Sequence, residues 1–208
     1  MMDRIHAQRD RRSSGARPRQ FLSRDYHWRM AFIVRTDRLL LRRWRLSDRG
    51  PFATMGMDSE VMRYFPSLLT KTESDALATR ADGLFDEFGY GLWAVEHTDS
   101  GAFIGFTGLA PMPDGIPGTG GVEVGWRLAR AYWGHGFATE AAQASLMFAF
   151  NELRLHEISS ITAVVNNRSR SVMERLGMTL ADEFENPKVD PGSHLRPHVR
   201  YVASNPGT

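Results

Sequence analysis

The segment Val122-Glu-Val-Gly-Trp-Arg-Leu-Ala-Arg-Ala-Tyr-Trp-Gly-His-Gly-Phe-Ala-Thr-Glu-Ala141 constrains this chain more than any other. Val122 to Leu128 reads as a strand, Gly134-His135-Gly136 as a tight turn, and Phe137 opens a helix that is apolar on most sides to Leu153. A strand that feeds a buried helix through glycines belongs to a strand–helix–strand unit, and so to an α/β domain with a mixed sheet. Gly134 and Gly136 allow positive φ and close backbone approach. The first free helix N–H groups (Phe137, Ala138 and Thr139) then make an anion site with the helix dipole, and the Thr139 hydroxyl adds a donor. A pyrophosphate suits that geometry. A third Gly is missing for a dinucleotide fingerprint, as is Gly-Lys-Ser/Thr for a phosphate-binding P-loop. A plain glycine turn fits the junction equally well.

Around this junction the chain alternates element types. Arg38 to Trp44 reads as a strand, and Ser47 caps a short helix through about Met57. Thr72-Glu-Ser-Asp75 has the form of a capping box opening a helix to Phe88, which Gly89-Tyr-Gly91 stops. Gly91 to Glu96 and Ala102 to Leu109 form a hairpin about the turn Thr98 to Gly101. Residues 110–121, rich in Pro and Gly, make an irregular loop. Glu157 to Val165 is a β-branched strand, Ser169 to Leu176 a helix and His198 to Ala203 a last strand.

Composition removes several function classes. The chain has no Cys, so it holds no disulfide, thiolate metal site or cysteine nucleophile. No apolar run approaches the roughly 18 residues of a membrane span. Residues 1–29 carry eight Arg against Asp3, Asp10 and Asp25, a net +5, and leave −3 for the rest of a chain whose total is +2. This basic stretch reads as a disordered tail with no signal-peptide core, translation perhaps starting at Met30, and residues 30–208 as one domain. A cytoplasmic location is expected. The acidic domain does not invite nucleic acid, although the tail leaves a nucleic-acid arm open. His194 and His198 have no third ligand at metal spacing, so no metal is expected.

Three motifs in order carry a family resemblance: Val122-Glu-Val-Gly-Trp126, Tyr132-Trp-Gly-His-Gly-Phe-Ala-Thr-Glu-Ala141 and Asn166-Asn-Arg-Ser-Arg-Ser-Val-Met-Glu-Arg-Leu-Gly-Met178. Further matching pieces are Thr36 to Trp44, Val61 to Pro66, Gly91 to Val95 and Phe103 to Leu109. Over about residues 35–203 the sequence resembles the GNAT acyl-CoA N-acyltransferases, in the branch similar to the ribosomal-protein N-acetyltransferases RimJ and RimL. The resemblance implies a GNAT fold, acetyl-CoA as co-substrate and a primary amine as acceptor. It implies two strands, here Val122–Leu128 and Ile158–Val165, that splay into a V. The pantetheine arm would pair with main chain at Trp126, Arg127 and Leu128. The pyrophosphate would lie on Gly134, His135, Gly136, Phe137, Ala138 and Thr139, with Asn166 contacting the cofactor near the thioester. Two positions depart from other branches: Ala131 stands where Gln or Arg is frequent, and Met173 where a Tyr acts as acid toward the thiolate.

The chemistry sets its own demands. A lysine amine of pKa about 10.4 must lose a proton before attack, whereas an α-amine near 8 needs little help. A leaving thiolate needs only modest acid assistance. Glu123 is the candidate base, with a salt bridge to Arg127 or another Arg as the competing role. Ser169 is the candidate thiolate partner, a role the RimL comparison also implies, and a plain helix N-cap is its competing role. His135 reads as solvent-facing. Trp93, Trp126 and Trp133 read as core or cofactor wall, and Tyr64 and Phe65 as acceptor-pocket lining. The acceptor is a peptide N-terminus or a small amine. A non-catalytic acyl-CoA sensor is the alternative reading, and a homodimer is left open.

Overall fold

The computed structural model describes residues 32–205 and Gly207. The expected tail, residues 1–29, lies outside them. Eight strands form one sheet in the order β1-β2-β3-β4-β5-β6-β8-β7: β1 Val34–Arg35, β2 Leu39–Arg42, β3 Leu92–His97, β4 Ala102–Pro111, β5 Val122–Leu128, β6 Glu157–Ala163, β7 Thr179–Glu185 and β8 Pro197–Ser204. Only β5 and β6 pair in parallel. The helices are α1 Arg49–Met57, α2 Lys71–Phe88, α3 Phe137–Asn151 and α4 Asn167–Arg175. Among the described residues no helix is long and apolar enough to cross a membrane.

The main core lies between the sheet and α3. Leu41, Trp93, Val95, Leu109, Val124 and Leu128 pack there with Ala141, Leu146 and Ala149. Small residues on α3 let the helix lie close to the strands, which is why its sequence is apolar on most sides. A second cluster, Phe52, Met55, Val61, Ala78 and Phe106, joins α1, α2 and β4. A bulge between Val95 and Glu96 lets Ile104 join the main cluster while Phe106 joins the second. On β5 the alternation is regular. Val124 and Leu128 belong to the α3 side, so Glu123, Gly125 and Arg127 belong to the other face.

Local starts and stops differ from the sequence reading where side chains found better partners. Ser47 caps nothing: it lies in a 3₁₀ turn, Leu46–Asp48, that runs into α1. There the Asp48 carboxylate accepts from Arg45 N–H and, in a buried bidentate pair, from Arg42. The capping box of α2 is Thr70 with Glu73, not Thr72 with Asp75. Thr70 Oγ1 accepts from Glu73 N–H at 3.2 Å, and Glu73 Oε2 accepts from Thr70 N–H at 2.8 Å. Asp75 instead pairs with Lys71 and lies near Arg49. Thr70→Ala should therefore cost about 1 kcal/mol. That corresponds to a melting temperature lower by roughly 2–4 °C for a domain of this size. An unchanged thermal melt would remove the cap from the account of α2.

Strand β7 had no signal in the sequence. It is an edge strand, and Asp182, Glu183 and Glu185 interrupt any apolar alternation. Such charge is how exposed edges resist pairing with other chains. It is held by β8 alone, with a register shift between Leu180 and Asp182. Asp182 is tied to Arg200 on β8 at 2.6 Å.

Candidate active site

Gly134 and Gly136 both take left-handed φ, 83° and 82°, and Gly136 is the N-cap of α3. The chain must reverse there without a side chain in the way. Glu140 N–H bonds back to Gly136 O at 3.0 Å, closing the first turn. The N–H groups of Phe137, Ala138 and Thr139 have no hydrogen-bond partner among the described residues. Free amides at a helix start, on the positive end of the helix dipole, are groups to which an anion can bind. His135 is exposed, as expected, and its ring stacks on Phe137 at 5.7 Å.

Arg38 is a residue the sequence reading assigned no role. Its Nη1 donates to His135 O at 3.0 Å, its guanidinium lies 4.6 Å from the Phe137 ring centre, and it pairs with Glu140 at 2.6 Å. Thr36 Oγ1 donates to the same Glu140 carboxylate. Arg38, just before β2, thereby ties that end of the strand to the glycine turn across a long sequence separation. Local spacing carries no trace of that, and the opposite charges of Arg38 and Glu140 were the only available hint.

Strands β5 and β6 share a single register pair, Glu123↔Ser159, and part beyond it. Val124 to Leu128 therefore line one arm of a V whose closed end is Glu123. Trp126 and Trp133 pack against the main cluster, and Trp133 Nε1 donates to Leu128 O at 2.8 Å. Arg168, in the first turn of α4, lies 4.5 Å over the Trp133 ring, a contact between the segments that follow the two strands. Trp93 is wholly buried and is core.

The Glu123 carboxylate makes no ion pair or hydrogen bond among the described residues, so the alternative of a salt bridge to Arg127 is not what forms. Burial pushes its pKa up to about 7, against a smaller opposing pull from Lys188. Arg127 instead lies 4.1 Å from the ring centre of Phe65. Burial draws its pKa down to about 10.

Asn166 and Ser169 come together at the start of α4, but not in the way the competing role supposed. The N-cap is Asn166, whose Oδ1 accepts from Ser169 N–H at 3.3 Å. Its Nδ2 donates to Thr162 Oγ1 at 2.8 Å. Ser169 is the third residue of the helix turn and not its cap, and its hydroxyl makes no hydrogen bond among the described residues. No hydrogen bond joins this pair to Glu123. Met173 is buried in the core, so it presents no polar group to the V.

Segment 60–70 approaches the face of β5 away from α3, with Phe65 over Arg127 and Tyr64 packed on Ala163, Val189 and Leu195. The part played by residues 186–196, including Lys188, was not foreseen. The loop assigned to 110–121 begins later, because Ala110 and Pro111 continue β4. Its Gly118 lies against Arg200. Among the described residues no three His, Cys, Asp or Glu side chains gather as metal ligands. His198 is hydrogen-bonded to Asn186 and to Arg196 O.

The site is thus a splayed parallel strand pair beside a helix with free N-terminal amides. Residues 38–179 match the acetyltransferase (GNAT) domain family. The chain belongs to this family and is an acetyltransferase. It is 32% identical over 146 residues to the uncharacterized protein YkkB of Bacillus subtilis, covering 69% of this chain and 83% of that one. A GNAT-family acetyltransferase of Bacillus anthracis superposes with a TM-score of 0.69 at 25% identity, over 83% of this chain and 98% of that one. RimL, a ribosomal L7/L12 α-N-protein acetyltransferase solved with coenzyme A, shares the fold with a TM-score of 0.67 at 15% identity, over 83% and 97% of the two chains.

Proposed function

We propose that the protein transfers the acetyl group of acetyl-CoA to a primary amine, a peptide N-terminus or a small-molecule amine, by direct transfer in a ternary complex. The observation that carries this reading is the V: β5 and β6 part after one register pair, beside a helix whose first three N–H groups are free. Those amides, with Gly134, His135, Gly136 and the Thr139 hydroxyl, fit the pyrophosphate of acetyl-CoA. The main chain of Trp126, Arg127 and Leu128, past the point where β6 leaves, fits its pantetheine arm. Bound there, acetyl-CoA supplies an activated acetyl group as a thioester.

The residues of this chain then supply position and proton transfer. The amine is held against the acyl carbon at the closed end of the V, where proximity removes most of the entropic barrier. Glu123 takes the amine proton, directly or through water, and its raised pKa of about 7 suits a base at neutral pH. Asn166 holds the start of α4, and Ser169 presents its free hydroxyl to the departing thiolate. Because a thiolate leaves readily unaided, Ser169→Ala should cost only about tenfold in turnover, the lower end of the range for a hydrogen bond to a charged group. A loss of a hundredfold or more would make Ser169 an obligatory acid.

The reading is tested by following CoA release over a panel of N-terminal peptides, lysine peptides, polyamines and aminoglycosides. Tight acetyl-CoA binding with no transfer to any of them would favour the sensor alternative, which draws on Met173 standing where other branches have a Tyr.

A further inference from the structure

Arg127 is a buried cation without an anion. Its Nε and Nη1 are shut off from solvent and have no hydrogen-bond partner among the described residues. The guanidinium lies over two aromatic rings, 4.1 Å from the centre of Phe65 and 5.4 Å from that of Phe106. Other interior arginines are matched: Arg42 by Asp48 and Glu96, Arg43 by Asp82 and Asp86, Arg200 by Asp182 and Glu157. An unpaired buried charge is costly, and an apolar side chain would fill an aromatic slot at less cost.

The surroundings give that charge something to face. Arg127, Gly125 and Glu123 form one row on the face of β5 turned away from α3, opposite Phe106, Gly108 and Ala110 of β4. A side chain added at Gly125 would meet nothing within 4 Å, so the floor between the two charged residues is open. Four residues along a strand span about 13 Å between Cα atoms. Lys188 stands near enough to Glu123 to act on its charge. The groove thus has a carboxylate at one end, open space between, and at the other a guanidinium whose Nη2, unlike Nε and Nη1, is not shut off from solvent.

We propose that this groove selects amine acceptors that also carry a carboxylate, with the amine at Glu123 and the carboxylate held by Arg127. The spacing fits a carboxylate several bonds from the amine, as in an ω-amino acid or the acidic side chain of a short peptide, rather than an α-amino acid. Arg127 suits the task because its charge is always present and its Nη2 can donate a charge-assisted N–H···O bond to a carboxylate, while the rings of Phe65 and Phe106 hold the guanidinium in place. The proposal rests on the acetyl-transfer reading above and names the acceptor class for it.

The test compares matched acceptors with the full chain and acetyl-CoA: 6-aminohexanoate against hexylamine, and amidated Ser-Ala-Glu against amidated Ser-Ala-Gln. The acidic member should be preferred about tenfold to a hundredfold in kcat/KM, the scale of a charge-assisted hydrogen-bonded pair. The first pair tests a small acceptor and the second a peptide. In Arg127→Met, which keeps an unbranched apolar body over the rings, that preference should collapse to near one, while Arg127→Lys should keep part of it. The preference is a ratio within each protein, so a general loss of activity cancels, and Arg127→Lys serves if Arg127→Met does not fold. A preference near one in the native chain, or one unchanged in Arg127→Met, overturns the role of Arg127. Acetyl-CoA binding without transfer to any amine would instead bring down the transfer reading, and this proposal with it.

Discussion

Glu123→Gln should lower turnover by about 10²-fold or more at saturating acetyl-CoA, the scale of general-base catalysis. Gln keeps the shape and removes the basic oxygen. The loss should be larger for an amine of high pKa than for an α-amine, which is already partly neutral at pH 7 to 8. The pH profile carries a second signature. The native carboxyl, pushed up to about 7 by burial, is protonated and idle as a base below that value and ionised above it. Activity should therefore rise with pH through about 7 in the native protein, and this limb should vanish in Glu123→Gln. Stability moves the other way. A carboxyl whose pKa is raised by folding binds its proton more tightly in the folded state, so ionising it between its ordinary value and about 7 destabilises the fold. At pH 8 the Gln variant should melt no lower than the native chain, which separates lost chemistry from lost folding. Nearly full turnover across pH 6 to 9 would make Glu123 structural and move the base elsewhere.

The sequence made the cradle and the V legible for different reasons. The cradle is local: Gly134 and Gly136 sit a few residues from the amides they free, so spacing alone points to it. The V is not local, since β5 and β6 are separated by α3, and only the family resemblance pointed to their splay. Contacts through long side chains escaped both routes. Arg38 reaches the glycine turn from just before β2, and Phe65 reaches Arg127 from the far side of the chain. Both helices start earlier than expected, with Thr70 capping two residues before Thr72 and Asn166 three before Ser169. The reading placed the cap at Thr72 in one case and weighed Ser169 for it in the other. Strand β7 was invisible because an edge strand exposed on both sides has no buried face to impose a period of two.

Gly136→Asp should abolish acetyl-CoA binding while leaving the fold intact. At φ 82° an Asp is one of the few side chains that tolerates the left-handed region. An added Cβ would meet only Arg38 Nη2, at 3.5 Å, an ordinary contact. The new carboxylate would stand at the N-cap of α3, where an acidic side chain accepts from the second or third helix N–H and is favoured by the dipole. These contacts, with Arg38 as a second partner for the carboxylate, offset part of the strain that a side chain meets at positive φ. The amides it engages are those proposed for the pyrophosphate, and its charge repels that group at close range. Losing one or more charge-assisted hydrogen bonds and adding repulsion should weaken binding by about 10²-fold or more. Calorimetry should show the heat of acetyl-CoA binding vanish while the thermal transition stays cooperative. Gly136→Ala is the control: it adds backbone strain of about 1 kcal/mol without charge. It should lower the melting temperature slightly and spare most of the affinity. Unchanged affinity in Gly136→Asp would place the pyrophosphate somewhere other than this cradle.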